Sequence, residues 1–522
     1  MNQLNFEELS TEQKIGMVMC ARLNSVCDEE VDFVLELIRN HALGCVQAPY
    51  KHPDIIRKFK EAADYPLLII LDTEMGYPTS KLPPVPQMTL AACGNPKYYR
   101  AFARAVVTEA KEAGCNGTWG PNLDLVDKKS PRGVARRLSD EPDEVARAAE
   151  EIAQVYANNH FLSCGKHYPG GAHMHDSHMA NTGSFNTKEE LLGEKLVPYL
   201  HLMKKGLLPS IMVGHSVYPH IDPEYPASLS SKVIGLIREM GFDGLCFTDS
   251  FGMMAILQKY GEDKILGMAI AAGNDIVLPN YRSSVKKNYE TLLQNYRDGM
   301  FSEERLNEAV RRILAAQARV GQEPEQPDLF TEEDRVNYYN IAKDCITAIT
   351  DPGVDAALPA DNKDRLFIIV TDEGAAGDEL SQEMVARHWY HPKDIEQKIY
   401  EEFPEAEVVT LPEFPTAKAN ERVLVAATSH KEVVFVTYCS TRPYLGTDTL
   451  TRRVEAVINA LITSGKVSAV LHFGNPFAMR NIDHVPRRLF GYIMPQSQLH
   501  AIEVLAGKLP ANGKLPYTVK LQ

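Results

Sequence analysis

One short stretch of the chain, residues 166–178 (KHYPGGAHMHDSH), holds one lysine, four histidines and one aspartate. Pro169 followed by two glycines can neither continue a strand nor start a helix, so the stretch is predicted to be a surface loop after a strand. Within it, Asp176 precedes His178 by two residues. A carboxylate at that spacing can orient the imidazole ring and raise its basicity. The pattern therefore favours proton transfer by His178 with Asp176 as its partner.

Two other interpretations of this loop stay open. A zinc site would use His173, His175 and His178, but these residues come from one loop, without helical i, i+4 spacing and without a thiolate. A solvated polar loop without catalytic function is the second alternative. The sequence implies no metal and no organic cofactor.

A second segment that could take part in a reaction is GLCFTDS at 244–250. It is an apolar run that ends in one carboxylate, Asp249. A carboxylate at the end of a buried strand can attack an anomeric carbon and stabilise an oxocarbenium-like transition state. The alternative is an N-cap, because a helix is predicted at 253–258.

The elements that must position these residues form a strand–helix alternation over the first 320 residues or so, which is typical of βαβ units with a parallel sheet. The predicted strands are 16–22, 43–47, 67–72, 115–124, 163–167, 208–214, 244–249 and 275–278. Helices are predicted at 96–113, 141–159, 188–205 and 230–240. Eight such strands predict an α/β fold of the TIM-type (β/α)8 barrel class.

Polar residues cluster at the carboxyl ends of these strands, where such barrels build their active sites. The clusters contain Asp72, Glu74, Asn122, Asp124, Lys166, His167, His215 and Asp249. Any one of them could simply cap the following helix, but five clusters at one end favour a functional site.

The barrel is predicted to occupy residues 1–346, followed by a linker at 347–363, where TAITDPGVDAALPADNK has no amphipathic period. New strands at 366–370, 433–438, 467–473 and 489–493, with helices at 378–387, 451–464 and 497–506, predict a smaller α/β sandwich domain over 364–522. This second domain shows no catalytic signature. Covering the barrel mouth and forming a homodimer contact are both roles open to it.

The composition of the chain limits the kinds of binding partner and indicates the cellular compartment. The formal net charge of −14 disfavours nucleic acid and anionic membrane surfaces as partners. The first twenty residues lack a signal-peptide pattern, and no apolar run is long enough for a membrane helix. Nine scattered cysteines without a CxxC pair are typical of free buried thiols. We therefore expect a cytoplasmic protein.

An ordered series of motifs resembles the family-3 glycoside hydrolases over nearly the whole chain. The series is DTEMG at 72–76, PNLDL at 121–125, KHYPG at 166–170, DSH at 176–178, MVGH at 212–215, PASLS at 226–230, GFDG at 241–244 with TDS at 248–250, LHFGNP at 471–476 and GKLP at 513–516. The sequence departs from the family pattern near Ser80, at 169–172, and at Arg136-Arg137-Leu138, where the sugar-binding arginine could be either neighbour.

The Asp-Ser-His loop resembles the β-N-acetylhexosaminidase branch of this family. The resemblance implies a retaining exo-β-N-acetylglucosaminidase that releases terminal β-linked N-acetylglucosamine, with Asp249 as nucleophile and His178 with Asp176 as acid/base dyad. It also implies that a small saccharide or glycoside is bound by five further residues, Asp72, Arg136, Lys166, His167 and His215. Because a deprotonated histidine is neutral, it would not repel phosphate, so phosphorolysis is a variant of the same reaction.

Two alternatives to this function remain. A β-glucosidase or β-xylosidase of the same family would be expected to lack the Asp-Ser-His loop. A catalytically inactive sugar-binding protein would not need Asp249, Asp176 and His178.

Overall fold

The computed structural model describes residues 2–128, 131, 133–170, 182–371, 390–439 and 449–521. The chain divides into two compact units. The first comprises Met1–Pro84, Tyr99–Ser130 and Glu141–Asp334, and the second comprises Val85–Tyr98, Pro131–Asp140 and Arg335–Gln522.

The first unit contains ten strands in the part of the chain that is described. They are β1 (Cys20–Ala21), β2 (Cys45–Gln47), β3 (Leu68–Leu71), β4 (Gly117–Thr118), β5 (Gly165–Tyr168), β6 (Ser210–Val213), β7 (Val217–Tyr218), β8 (Asp222–Pro226), β9 (Leu245–Ser250) and β10 (Ile276–Leu278). Each of the eight predicted strand segments overlaps one of these strands. The other two, β7 and β8, form an antiparallel hairpin directly after β6.

Eight of these strands are parallel and follow one another in chain order, as β1-β2-β3-β4 and β5-β6-β9-β10. Isolated parallel bridges join the two sheets at both edges. Met19 bridges to Val277 on one side, and Gly117 to Leu162 and Asn122 to Lys166 on the other. The strands therefore run around a barrel whose two seams are isolated bridges rather than continuous ladders.

Helices alternate with these strands. They span Thr11–Met17, Asp28–Arg39, Pro53–Ala62, Pro96–Glu112, Pro142–Asn158, Lys188–Glu190, Val197–Lys204, Ser231–Glu239, Met254–Tyr260, Glu262–Ala272, Val285–Arg297 and Glu303–Val320. Glu303–Val320 shows why they form: the Ser302 side chain caps the first turn, and the buried residues Leu306, Val310 and Ile313 recur every three or four positions. This helix thus buries one apolar stripe.

The second unit is built on a six-stranded sheet in the order β11-β16-β15-β14-β12-β13, in which only β11 is antiparallel. Its strands are β11 (Thr347–Thr350), β12 (Arg365–Thr371), β13 (Glu407–Pro412), β14 (Glu432–Cys439), β15 (Val467–Gly474) and β16 (Arg487–Phe490). Its longer helices are Pro392–Glu402, Ala417–Thr428, Arg452–Thr463 and Pro495–Leu505, and Glu332–Asp344 crosses the boundary between the units. In chain order the strands step outward from β12 to the edge strand β13 and then back past β12 to β14. Because crossovers between parallel strands are right-handed, the helices before and after β13 lie on opposite faces of the sheet.

The structure places parts of the predicted domain scheme differently. Residues Thr347–Thr350 of the predicted linker form β11 and pair with β16. Two segments of the first 140 residues, Val85–Tyr98 and Pro131–Asp140, belong to the second unit. They are held there by hydrogen bonds to the far end of the chain. The Tyr517 hydroxyl donates to the carbonyls of Val134 and Arg137, and the Lys514 amide donates to the carbonyl of Ala92.

All nine cysteines are free thiols, and all except Cys27 and Cys93 are buried. Across the described residues, no helix combines the length and the apolar character that a membrane crossing needs.

Candidate active site

Asp249 is the first partly exposed residue of β9, at the carboxyl end of that strand. Thr248, immediately before it, is fully buried, and its hydroxyl accepts a hydrogen bond from the Leu278 amide (2.9 Å), which ties β9 to β10. The Ser250 amide donates to Asp249 Oδ1 at 2.7 Å. The strand and its neighbour therefore fix the backbone, and the carboxylate reaches the barrel mouth, where its side chain is 23% exposed.

The surroundings of Asp249 favour its ionised form. Burial by itself raises the pKa of this carboxyl group. The His167 ring, the Ser250 amide and the Lys166 ammonium act in the opposite direction, and together they hold the pKa of Asp249 below its ordinary value. Asp249 is therefore a carboxylate at neutral pH.

His167 lies between two carboxylates. Asp124 accepts hydrogen bonds from the His167 amide (3.0 Å) and from ring Nδ1 (2.9 Å). The other ring nitrogen, Nε2, lies 3.9 Å from Asp249 Oδ2. Asp124 is placed there because the Leu123 amide donates to the Lys166 carbonyl (2.7 Å), which aligns this segment with β5. The imidazole thus has a fixed orientation and faces Asp249.

Lys166 joins the ends of β5 and β3. Its ammonium is 2% exposed and lies 2.6 Å from both Asp72 Oδ1 and Glu74 Oε1. The Glu74 side chain is 8% exposed, whereas the Asp72 side chain is 60% exposed. A carboxylate that is anchored on one side and open to solvent on the other is suited to accept hydrogen bonds from sugar hydroxyls.

His215 follows β6, and both of its ring nitrogens contact protein atoms. Nε2 lies 3.1 Å from the Ser250 carbonyl oxygen, and Nδ1 lies 2.8 Å from Ser228 Oγ. The ring stacks on Phe251 at a centroid distance of 5.2 Å. Burial lowers the pKa of His215 against the opposing effect of Asp249, which favours the neutral ring. The contacts give His215 a positioning role beside Asp249; its predicted contact with a sugar stays a prediction.

The structure therefore brings together Asp72, Lys166, His167, His215 and Asp249. Asp176 and His178 lie outside the described residues, as do His173 and His175. Arg136 belongs to the second unit, in the short 3-10 helix Val134–Arg136. The roles of Asp176, His178 and Arg136 remain predictions.

Asp124 and Ser228 are site residues to which the sequence assigned no role. The sequence showed Asp124 as a polar residue after a predicted strand. Its contact with His167 could have been predicted from the fact that both residues lie at carboxyl ends of neighbouring strands. Ser228 lies inside the PASLS motif at 226–230, but its partner His215 is thirteen residues earlier in the sequence.

Comparison with known proteins places this geometry in a family. The sequence model of the glycosyl hydrolase family 3 N-terminal domain matches residues 36–316 of this chain. A β-hexosaminidase of Xanthomonas oryzae pv. oryzae (strain KACC10331 / KXO85) is 30% identical over 239 residues, covering 42% of this chain and 69% of the relative. A β-N-acetylglucosaminidase/β-glucosidase of Cellulomonas fimi is 25% identical over 337 residues, covering 60% of this chain and 58% of the relative.

Solved structures show the same fold. A family 3 β-N-acetylglucosaminidase from Paenibacillus sp. str. FPU-7 superposes with a TM-score of 0.79 at 24% identity, covering 98% of this chain and 100% of the other. A β-glucoside phosphorylase superposes with a TM-score of 0.80 at 19% identity, covering 98% and 95%. The structural matches confirm the predicted barrel and α/β sandwich, and the β-hexosaminidase relatives confirm the resemblance to the hexosaminidase branch. The chain is a glycosidase that acts on saccharides, and it belongs to glycosyl hydrolase family 3.

Proposed function

We propose that the protein is a retaining exo-β-N-acetylglucosaminidase with Asp249 as its nucleophile. The observation that carries the proposal is the ionised Asp249 carboxylate at the end of β9, with the His167 ring 3.9 Å away and Lys166 close enough to lower its pKa. The preference for an N-acetylated sugar is supported by the β-hexosaminidase relatives at about 30% identity.

In the first step Asp249 attacks C1 of the terminal sugar from the face opposite the leaving oxygen. A covalent glycosyl ester forms while the bond between C1 and the leaving oxygen breaks. His178, oriented by Asp176, donates a proton to that oxygen. In the second step His178 takes a proton from water, the water oxygen bonds to C1, and the ester to Asp249 breaks, so that configuration is retained.

The barrel mouth offers the hydroxyls of the sugar both hydrogen-bond acceptors and hydrogen-bond donors. The exposed edge of Asp72 accepts hydrogen bonds, and the His167 ring, fixed by Asp124, lies beside the reacting carbon. Lys166 holds Asp72 in place, and Arg136 is proposed as a further donor. These contacts orient C1 toward Asp249.

Transfer to phosphate in place of water is a variant of this proposal, because the deprotonated His178 carries no charge that would repel the anion. The assay described next is therefore run both in phosphate and in a non-nucleophilic buffer. Sugar 1-phosphate as the main product in phosphate would favour the variant over hydrolysis.

The test compares initial rates on 4-nitrophenyl N-acetyl-β-glucosaminide and on the corresponding glucoside. We expect wild type to prefer the N-acetyl substrate and Asp249→Ala to lose at least about a thousandfold in kcat/KM. Asp243→Ala is the matched control, because Asp243 lies in the same segment but its side chain is 90% exposed. We expect this control to keep the wild-type rate.

Azide then distinguishes the two faces of the sugar. In Asp249→Ala it enters the space left by the nucleophile and is expected to give the α-glycosyl azide, whereas in His178→Ala it attacks from the opposite face and gives the β anomer. An unchanged rate in Asp249→Ala, or a β-azide from it, would exclude Asp249 as nucleophile.

The same assay separates the alternatives. Preference for the glucoside would establish a β-glucosidase, an activity also named for the Cellulomonas fimi relative. Tight saccharide binding without turnover of either substrate would establish a sugar-binding protein.

A further inference from the structure

Arg22 lies at the barrel mouth but has no part in the chemistry described so far. It follows β1 directly, so it occupies the carboxyl end of that strand, as Asp72 does for β3 and Asp249 for β9. In a parallel barrel these strand ends surround one opening. Arg22 therefore belongs to the same rim as the nucleophile.

A tyrosine ring holds the Arg22 side chain at this rim. Its guanidinium carbon lies 4.2 Å from the centroid of Tyr281, in the loop after β10. The Tyr281 ring packs so closely on Gly252 that an added Cβ at Gly252 would overlap it, and Gly252 is three residues after Asp249. Arg22 is thus connected to the nucleophile segment through two direct contacts.

Arg22 differs from the other arginine on this ring. Arg282 lies 4.6 Å from the Tyr281 centroid, but it donates a hydrogen bond to the Gly252 carbonyl (2.6 Å). Among the described residues, Arg22 has no hydrogen-bond partner and no ion-pair partner. Its five N–H donors are therefore not used by the part of the chain that the structure describes.

A partly buried cation without a counter-ion is costly, and the cost falls when an anion binds. Burial lowers the pKa of Arg22, and Tyr281 and Asp72 act against that shift. Asp72 acts on Arg22 only at a distance: its ion pair is with Lys166, and no ion pair joins it to Arg22 among the described residues. A guanidinium is also the side chain best matched to the planar fork of a carboxylate or to a phosphate.

We propose that Arg22 is a binding residue for an oxyanion at the barrel mouth, either a carboxylate carried by the aglycone of the substrate or a free phosphate ion. The proposal deepens the proposed function and rests on it, since the anion would lie beside the sugar that Asp249 attacks.

The test uses two substrates that differ only in this charge. They are the N-acetyl-β-glucosaminides of 4-(carboxymethyl)phenol and of its carboxamide, in which the methylene group keeps the two leaving groups similar. We expect wild type to have a higher kcat/KM for the carboxylate, and Arg22→Gln to lower the carboxylate-to-carboxamide ratio about tenfold or more.

A second arm detects a free anion. Inorganic phosphate, compared with chloride at equal ionic strength, is titrated against the carboxamide substrate. If phosphate occupies the Arg22 position, it changes the wild-type rate, and Arg22→Gln raises the concentration needed for that effect about tenfold.

Arg282→Gln is the matched control, because it removes one positive charge from the same tyrosine ring. The proposal expects it to keep the substrate ratio and the phosphate response. Should Arg22→Gln not fold, Arg22→Lys carries the test, because lysine keeps the charge but loses the two-point geometry, and an unchanged ratio in that variant would count against the proposal.

The outcomes separate the sources of the anion. Loss of a carboxylate preference assigns the site to the substrate, and loss of the phosphate effect alone assigns it to a free ion. The proposal is overturned if wild type shows neither effect, or if Arg22→Gln and Arg282→Gln change them equally. Wild-type turnover of the carboxamide substrate tests the proposed function separately.

Discussion

Ser228 and Ser230 are two residues apart in one motif, but their side chains act in different places. The Ser228 hydroxyl lies 2.8 Å from His215 Nδ1, on the far side of the ring that contacts the Ser250 carbonyl. Ser230 caps the helix Ser231–Glu239 and donates to Asp222 at 2.6 Å. The first contact orients a ring beside Asp249, and the second stabilises a helix end.

We therefore expect Ser228→Ala and Ser230→Ala to separate activity from stability. Ser228→Ala should lower kcat/KM about tenfold, because the His215 ring loses the partner that fixes it. Ser230→Ala should lower the free energy of unfolding by about 1 kcal/mol and keep kcat/KM close to wild type. Steady-state kinetics and urea unfolding on both variants check this. A purely structural role for His215 would be indicated if Ser228→Ala lost stability without losing activity.

At this scale the sequence predicted the position of Asp249, Lys166 and His167, because each is a polar residue at the end of an apolar run. It did not predict that both nitrogens of His215 are occupied. One partner is a backbone carbonyl, which carries no side-chain signal, and the other depends on how the chain folds back after β6.

At the scale of elements, His472 joins two central strands of the second unit. Its Nδ1 lies 2.9 Å from Thr437 Oγ1 on β14, and its Nε2 donates to the Asn475 carbonyl after β15 (2.8 Å). Burial lowers the pKa of His472 to about 4, although the Asn475 carbonyl acts against the shift. The folded protein therefore keeps this ring neutral well below the pKa of an exposed histidine.

The lowered pKa of His472 predicts that the folded protein loses stability in acid. Below a pH of about 6.5 the unfolded chain binds a proton at His472 that the folded chain does not bind until pH falls to about 4. The free energy of unfolding should therefore fall by roughly 2 kcal/mol from this residue between neutral pH and about pH 4.5. His472→Gln should show a smaller decrease, measured as the urea midpoint across that range. The exposed His484 gives the control His484→Gln, which should keep the wild-type pH dependence.

Strands and helices were predictable from sequence where burial was one-sided or complete. The edge strand β13 was missed because its first four residues are exposed or half-buried, which leaves no apolar alternation. The strand β11 was missed because it is short and adjoins acidic and proline residues. Both lie at the edges of the sheet, where pairing on one side alone determines the conformation.

At the scale of the whole molecule, the first unit is held at the amino end of its strands by a buried charge cluster. Asp275, which precedes β10, is fully buried and accepts hydrogen bonds from Arg238 (2.8 Å) and Arg305 (2.6 Å) and from the Cys246 amide of β9 (2.9 Å). The cluster ties two strands and two helices together at the end opposite Asp249.

Asp275→Asn should destabilise the fold by about 3–5 kcal/mol, because it leaves buried guanidinium groups without their counter-charge. Its kcat/KM per folded molecule should match wild type at low temperature, since the change lies at the far end of the barrel. Asp243→Asn removes an exposed partner of Arg312 and should cost less than about 1 kcal/mol. Thermal melts and kinetics test both variants, and a loss of kcat/KM in folded Asp275→Asn would contradict this division of the barrel.

The division of the chain into units was only partly accessible from sequence. The βα alternation predicted the barrel, and the change of pattern after residue 346 indicated a second domain. The two early segments that join that domain were not predictable, because what holds them is contact with residues 514–518, and no local pattern reports a partner several hundred residues away.

The proposed site draws its polar residues from five separate strand ends, those of β3, β4, β5, β6 and β9, whereas two of the seams between strands are isolated bridges. No fragment of the barrel contains the whole constellation. During refolding, helices and strand pairs can form early without any catalytic competence. Recovery of glycosidase activity would then lag behind recovery of circular dichroism, and the enzyme would serve as its own reporter of barrel closure.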